Sequence, residues 1–383
     1  MPINTSPISP ADALKILQAL SLMPNPPSVM LHGAPGIGKS EIVAQLAQWR
    51  AERAGLSIVR SGMDLKEGTM LFSDIRLTTI EAQDLRGLPY PNRSEGTVTY
   101  LRPSFLPPMD DRPHVVFTDE LTAAEQRLQA SAYQLLLDRR VGDHALGPNV
   151  MVVAAGNGAE HGAISNEMGT AIADRLIHLN IVATPEAWLH WAKDNDIAAE
   201  VMAFIQTRPD FLDMCEKRVK NNLTIAASPR GWARVSKVFK AFKASGQPAA
   251  ALERAVSGIV GQEAAGEFFL VLEELKEAVD VKRLMEMDDK ERRKNLPKTL
   301  TALYGLTYAL LPMIRDAKSI ESCFEILLAI KETPIKDVPN EEIATLGFEM
   351  AIERGEKMGL MKDMIASKAY KRYAEIRRQQ GLQ

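Results

Sequence analysis

A short apolar run, Ser28–His32, leads directly into Gly33-Ala34-Pro35-Gly36-Ile37-Gly38-Lys39-Ser40, and an amphipathic run follows from Glu41 to Arg53. Nothing else in the chain constrains its fold as tightly. The apolar run predicts a buried strand. The run after the loop, with Ile42, Leu46 and Trp49 facing inward, predicts a helix that Gly55 ends. Strand, glycine-rich turn and helix in that order form the first half of a βαβ unit. The turn matches G-x-x-x-x-G-K-[ST]. Its glycines let main-chain N–H groups wrap a phosphate, and the following helix aims its positive end at the anion. Gly33, Ala34, Pro35, Gly36, Ile37, Gly38, Lys39 and Ser40 are therefore the expected nucleotide cradle. Lys39 should reach the β- and γ-phosphates of ATP, and Ser40 should ligate Mg²⁺.

The rest of the first half repeats the alternation. Ser9-Pro10 reads as an N-cap followed by proline at the first helical position, opening a helix to about Leu22. Leu56–Arg60 is a second strand candidate. The stretch 62–111 reads as long and less regular, with Thr97–Leu101 as one arm of a hairpin. Val115–Thr118 is a strongly apolar strand, Ala123–Arg139 a helix, and Val150–Ala155 another buried strand. Ala171–Ile181 reads as a helix end and a last strand. Strands alternating with helices imply a mostly parallel sheet covered on both faces. After Pro185 the chain reads as helices broken at prolines. The expected organisation is an α/β nucleotide-binding core over 1–183, a helical lid over 184–245 and a helical C-terminal extension over 246–383. Met285–Lys298, dense in mixed charge, reads as a surface helix or linker, and Leu300–Ile314 as a buried helix ending near Pro312.

Composition narrows the function classes. A formal net charge of −3 over 383 residues excludes polyanion binding by bulk electrostatics. Cys215 and Cys323 sit in no metal-spaced cluster, which argues against a zinc site or disulfide framework and for a reducing compartment. The N-terminus lacks a basic head followed by an apolar run, and the uncharged stretches are proline-broken or too short to span a bilayer. The expected location is cytoplasmic.

Four further elements carry chemistry. Asp119, at the end of its strand, would hold Mg²⁺ directly or through water, and Glu120 would polarise an attacking water as general base. Asn157, after the strand Val150–Ala155, could orient that water, or simply make an Asn-Gly turn. Arg175, in Asp174-Arg175, could act on a γ-phosphate, or be half of a surface pair. Arg230, in Ser228-Pro229-Arg230-Gly231, could point into the nucleotide cleft, or sit exposed at a helix start.

In this order the elements resemble the AAA+ ATPases, and within them the MoxR group. The resemblance rests on GAPGIGKS, VVFTDELTAAEQRLQASAYQLLLDRRVG, VVAAGN, ADRLIHLNI and ASPRGWARV, and covers about residues 28–240. It implies that Asn157 is sensor 1, that Arg175 is an arginine finger acting in the adjacent subunit, and that Arg230 is sensor 2. It also implies that the region from Asp84 to Leu106 carries a pore-facing insertion. The implied assembly is a homo-oligomeric ring, usually a hexamer. The implied activity is ATP hydrolysis coupled to chaperone-like remodelling of a protein client, with a von Willebrand A-type partner. Leu176 stands where the family has phenylalanine, and Arg127, Arg139 and Arg140 are other basic candidates for an intersubunit contact. Two rivals stay open. One is a nucleic-acid motor or loader, for which Lys368–Arg378, with five basic residues and Tyr370 and Tyr373 between them, offers a patch. The other is a scaffold that binds ATP only to assemble.

Overall fold

The computed structural model describes residues 5–158, 173–276 and 280–379. The chain falls into two compact units. The first comprises 1–187, 214–224 and 228–230, and the second 188–213, 225–227 and 231–383.

The first unit is built on a seven-stranded sheet. In chain order its strands are β1 (Pro7–Ile8), β2 (Val29–His32), β3 (Ser57–Arg60), β4 (Thr69–Arg76), β7 (Val115–Asp119), β10 (Met151–Gly156) and β11 (Ile177–Ile181). They lie side by side as β1-β11-β2-β10-β7-β4-β3, and each neighbouring pair is parallel. Two antiparallel hairpins stand outside it, β5 (Pro89–Asn92) with β6 (Thr97–Tyr100), and β8 (Arg140–Val141) with β9 (His144–Ala145). The expected fold class, a parallel P-loop α/β core with a helical region after it, is the one observed.

Alternation along the strands explains the layering. Val29 and Leu31 of β2, Val115 and Phe117 of β7, and Met151, Val153 and Ala155 of β10 pack with helices α1 (Pro10–Leu20) and α2 (Lys39–Ala54). Their neighbours Met30, Val116, Val152 and Ala154 point the other way, into a core with Leu85 of α3 (Ala82–Arg86) and Leu128, Ala132 and Leu135 of α4 (Gln126–Asp138). Asp119 continues the series of Val115 and Phe117, so the pleat turns it to the α2 face. Ser9 caps α1 as expected, accepting the Asp12 N–H at 3.1 Å.

Three expectations are corrected. The stretch 62–111, read as irregular, contains β4, the longest of the described strands. β4 lies between β7 and β3, and Met70, Leu71, Phe72 and Ser73 are buried in succession, so no alternation marks its first half. Its Ser73 is fully buried and donates to the Phe105 carbonyl, the polar exception such a strand tolerates. The helix expected from Ala123 starts at Gln126, after a short turn over Leu121–Ala123. Arg139 is no candidate for an intersubunit contact. It sits at φ 51° at the end of α4, and its guanidinium donates to the carbonyls of Pro26 (2.8 Å), Gly147 (3.1 Å) and Val150 (2.7 Å).

The second unit is helical among the described residues. It is closed by apolar and aromatic packing, with Phe204, Trp232 and Phe268 fully buried against one another. A second cluster joins α5 (Ala317–Glu332), α6 (Asn340–Lys357) and α7 (Lys368–Gln379). Here Phe348 stacks on Phe324 at 5.3 Å and on Tyr373 at 3.7 Å. Leu300–Leu310 is the expected buried helix, followed by a tight turn through Pro312. The mixed-charge run Met285–Lys298 contains a largely exposed helix, Asp289–Lys294, with one inward side chain. Arg292 within it is buried and donates to the Leu284 and Met287 carbonyls and to Glu325. Among the described residues no helix is long and apolar enough to cross a membrane.

Candidate phosphate site

In a parallel sheet all strands finish at one edge, and the loops beyond that edge are where ligands meet a doubly wound fold. Here β2, β4, β7 and β10 deliver Gly33, Arg76, Asp119 and Gly156 to the same edge.

The loop after β2 turns on three glycines with φ of 144° (Gly33), 86° (Gly36) and 103° (Gly38). A side chain at Gly33 would put its Cβ 2.4 Å from the Ile181 carbonyl oxygen, so only glycine lets the loop leave the sheet here. At Gly38 a Cβ would meet nothing within 4 Å, so the requirement there is the backbone angle. α2 begins at Lys39 with its first N–H groups toward the loop.

Lys39 is 7% exposed, and its Nζ donates to the carbonyls of Gly33 (2.7 Å) and Ala34 (3.0 Å) and to Asn157 Oδ1 (2.7 Å). Burial pushes its pKa down to about 8; Asp119 opposes the shift, and Arg230 adds to it. Ser40 Oγ donates to Asp119 Oδ2 at 3.2 Å. Two oxygens at that separation suit adjacent positions of an octahedral Mg²⁺, where bonds of ~2.1 Å place neighbouring ligands about 3 Å apart. Among the described residues no group of three or more His, Cys, Asp or Glu surrounds a point.

Glu120 follows Asp119 in the left-handed conformation, φ 60° and ψ 33°. Such a backbone costs a non-glycine residue about 1–3 kcal/mol, and it turns the carboxylate away from the strand. The carboxylate accepts a hydrogen bond from Thr78 Oγ1 and lies 3.9 Å from Arg76 Nε. Asn157 follows β10, and its carbonyl accepts from Thr122 Oγ1 at 3.0 Å while its side chain meets Lys39. The Arg230 N–H donates to the Gly36 carbonyl at 3.1 Å, and Ser228 Oγ lies 3.2 Å from where a Gly36 Cβ would be. The Arg230 segment is thus bound to the phosphate loop within the first unit, with the side chain exposed.

Of the candidate residues, Lys39, Ser40, Asp119, Glu120 and Asn157 gather at the sheet edge, and Arg230 joins them through its main chain. Arg175 does not join them: it stands exposed on the turn before β11. Three residues were missed by sequence reasoning. Thr78 and Arg76 engage Glu120 from the end of β4, and no local pattern announces them. Asp74, on the same strand, is exposed at its edge. Partial desolvation and then the charge of Asp119 hold its carboxyl above the usual range, against Arg60 and Arg76.

No family model and no curated relative matches the chain. Among solved structures, a variant of RuvB from Thermotoga maritima is similar at 15% identity, covering 78% of this chain and 79% of that one, with a TM-score of 0.32. NtrX from Brucella abortus in complex with ADP is similar at 12% identity over 80% of this chain and 64% of that one, with a TM-score of 0.37. A full-length MCM homolog from Methanopyrus kandleri is similar at 14% identity over 67% and 52%, with a TM-score of 0.29. Likenesses of this extent carry no function with them; the geometry of the site has to do so.

Proposed function

We propose that the chain is an ATPase of the AAA+ kind, of its MoxR-like group, working as a ring whose turnover remodels a protein partner. The observation that carries the hydrolytic part is the meeting of Lys39, Ser40, Asp119, Glu120 and Asn157 at one sheet edge, beyond a loop that can only be glycine at Gly33. Main-chain N–H groups of Gly33–Ser40 and the start of α2 grip the β-phosphate. Lys39 exchanges its contact with Asn157 for phosphate oxygens, which frees the Asn157 amide to orient water. Ser40 and Asp119 would hold Mg²⁺, which when bound neutralises charge developing between the β- and γ-phosphates. Glu120 takes a proton from the attacking water once it has left Thr78. Arg230 meets the γ-phosphate from the same chain, and Arg175 is offered to a neighbouring protomer.

Ring assembly goes with that last role, since an exposed cation that does not join its own chain's site would complete a neighbour's. A hexamer, a protein client and a von Willebrand A-type partner are the finer parts of the reading and come with the MoxR-like resemblance. The three-part division, with a lid over 184–245, belongs to the same reading. The nucleic-acid rival loses support at the C-terminal tail. Tyr373 is buried against Phe348, which removes a ring on which a base could stack, and Arg372 is paired with Glu332 at 2.6 Å.

The test is Glu120→Gln. ATP binding should persist while kcat falls by about 10²–10⁴-fold, and the ATP-loaded form should retain its client in a pull-down. Unchanged turnover would leave the chain an ATP-binding scaffold.

A further inference from the structure

His32 is the last residue of β2, immediately before Gly33, and His178 is the second residue of β11. Their rings lie edge to edge and nearly coplanar, with centroids 5.0 Å apart and planes 18° apart, and His32 Nε2 lies 2.7 Å from His178 Nδ1. The other nitrogen of His178, Nε2, lies 2.8 Å from the Ala173 carbonyl oxygen. A carbonyl only accepts, so His178 carries a proton on Nε2. With both rings neutral its Nδ1 then accepts the Nε2–H of His32. Burial, then His178 and Lys39, hold the pKa of His32 down to about 4, so this ring stays neutral at ordinary pH. The Ala173 carbonyl also accepts the Leu176 N–H at 3.2 Å. Residues 173–176 are therefore a turn with Asp174 and Arg175 at its centre, both exposed.

The geometry points to a strut of two rings that joins the phosphate loop to the turn presenting Arg175, with His32 and His178 as positioning residues. The path is continuous: Lys39 Nζ donates to the Gly33 carbonyl, His32 precedes Gly33, His178 Nδ1 accepts the Nε2–H of His32, and His178 Nε2–H donates to the carbonyl that closes the turn. Loading of the loop in one protomer thereby bears on how firmly its arginine is set for the next. The inference rests on the reading of Arg175 as a cation offered to a neighbour.

The experiment measures kcat and KM for ATP with the full-length protein, as wild type, Arg175→Ala, His178→Ala, His178→Gln, and the double Arg175→Ala/His178→Ala. Arg175→Ala should lower kcat by about 10³-fold or more. His178→Ala should lower kcat about tenfold, the scale of one hydrogen bond, with KM unchanged. His178→Gln places an amide N–H where the imidazole Nε2 was, and should recover most of that loss. The double variant should be no slower than Arg175→Ala alone, because His178 acts through Arg175. The proposal is overturned if His178→Ala costs the same factor in the Arg175→Ala background, if it raises KM alone, or if glutamine restores nothing. Should His178→Ala not fold, His178→Gln against His178→Asn carries the comparison, since asparagine is too short to reach Ala173; equal rates would overturn the strut. Full turnover by Arg175→Ala is a different failure: it removes the finger reading itself, whatever His178 does.

Discussion

The phosphate loop of the first unit and the aromatic cluster of the second are both shielded from water, by opposite means. At the loop a lysine is buried on two carbonyls and an amide, three glycines hold φ values that side chains avoid, and Glu120 sits in a left-handed conformation. Each of these costs stability. In the cluster Phe324, Phe348 and Tyr373 stack ring on ring and burial of their apolar surface contributes stability directly, against the cost of a buried Tyr373 hydroxyl that has no hydrogen-bond partner among the described residues. The contrast separates two reasons for burying a residue. The loop keeps a charge dry, which in the proposed function makes a phosphate worth more to it than water was, and the cluster holds helices together.

Two substitutions and a titration sharpen the contrast. The largest effect on folding is expected from Phe348→Ala, which removes a fully buried ring stacked on both faces. It should destabilise the protein by about 3–5 kcal/mol in denaturant unfolding. A loss below about 1 kcal/mol would mean the cluster is not what holds this unit. The next largest effect belongs to pH. Lys39 has its pKa pushed down to about 8 by burial, whereas phosphate binding requires the charged form. Below that value the free protein already carries the proton; above it, binding must take one up. ATP affinity should therefore fall by up to tenfold per pH unit as pH rises above about 8. Calorimetry in buffers of different ionisation enthalpy should register proton uptake. An affinity flat from pH 7 to 9.5 would place the lysine outside the binding step. The smallest effect is expected at Arg372, which is itself exposed and whose partner Glu332 keeps Arg293 as a second partner. Arg372→Ala should change stability by no more than about 1 kcal/mol, and a larger loss would show the tail to be held by charge rather than by Tyr373.

The same contrast explains what could be read from the sequence. The loop was legible because its chemistry is local: eight consecutive residues supply the turn, the donor groups and the cation. Asp119 was legible for a similar reason, since an apolar strand ending in acids states its own boundary. β4 was not, because its first half is buried in succession without alternation and its polar Ser73 and Asp74 look like a loop. Thr78 and Arg76 lie more than forty residues from Glu120 in sequence, so only the sheet order brings them to it. Arg139 and Arg140 are adjacent and look equivalent. Arg139 turns inward onto three carbonyls, while Arg140 is exposed and donates to the Gly142 carbonyl at 2.9 Å and 2.7 Å. The tail's basic residues drew attention to its outer face, while Ala369 and Tyr373, four apart, carry the face that packs.

Lys39→Ala, assayed for both ATP binding and ATP turnover, bears most directly on the central claim. The account predicts a folded protein that binds ATP at least about 100-fold more weakly and shows no turnover above background, because a buried charge with several partners is worth several kcal/mol to the phosphate it meets. Binding and turnover at the wild-type level would contradict it, and the reading of the sheet edge as a nucleotide site would have to be withdrawn.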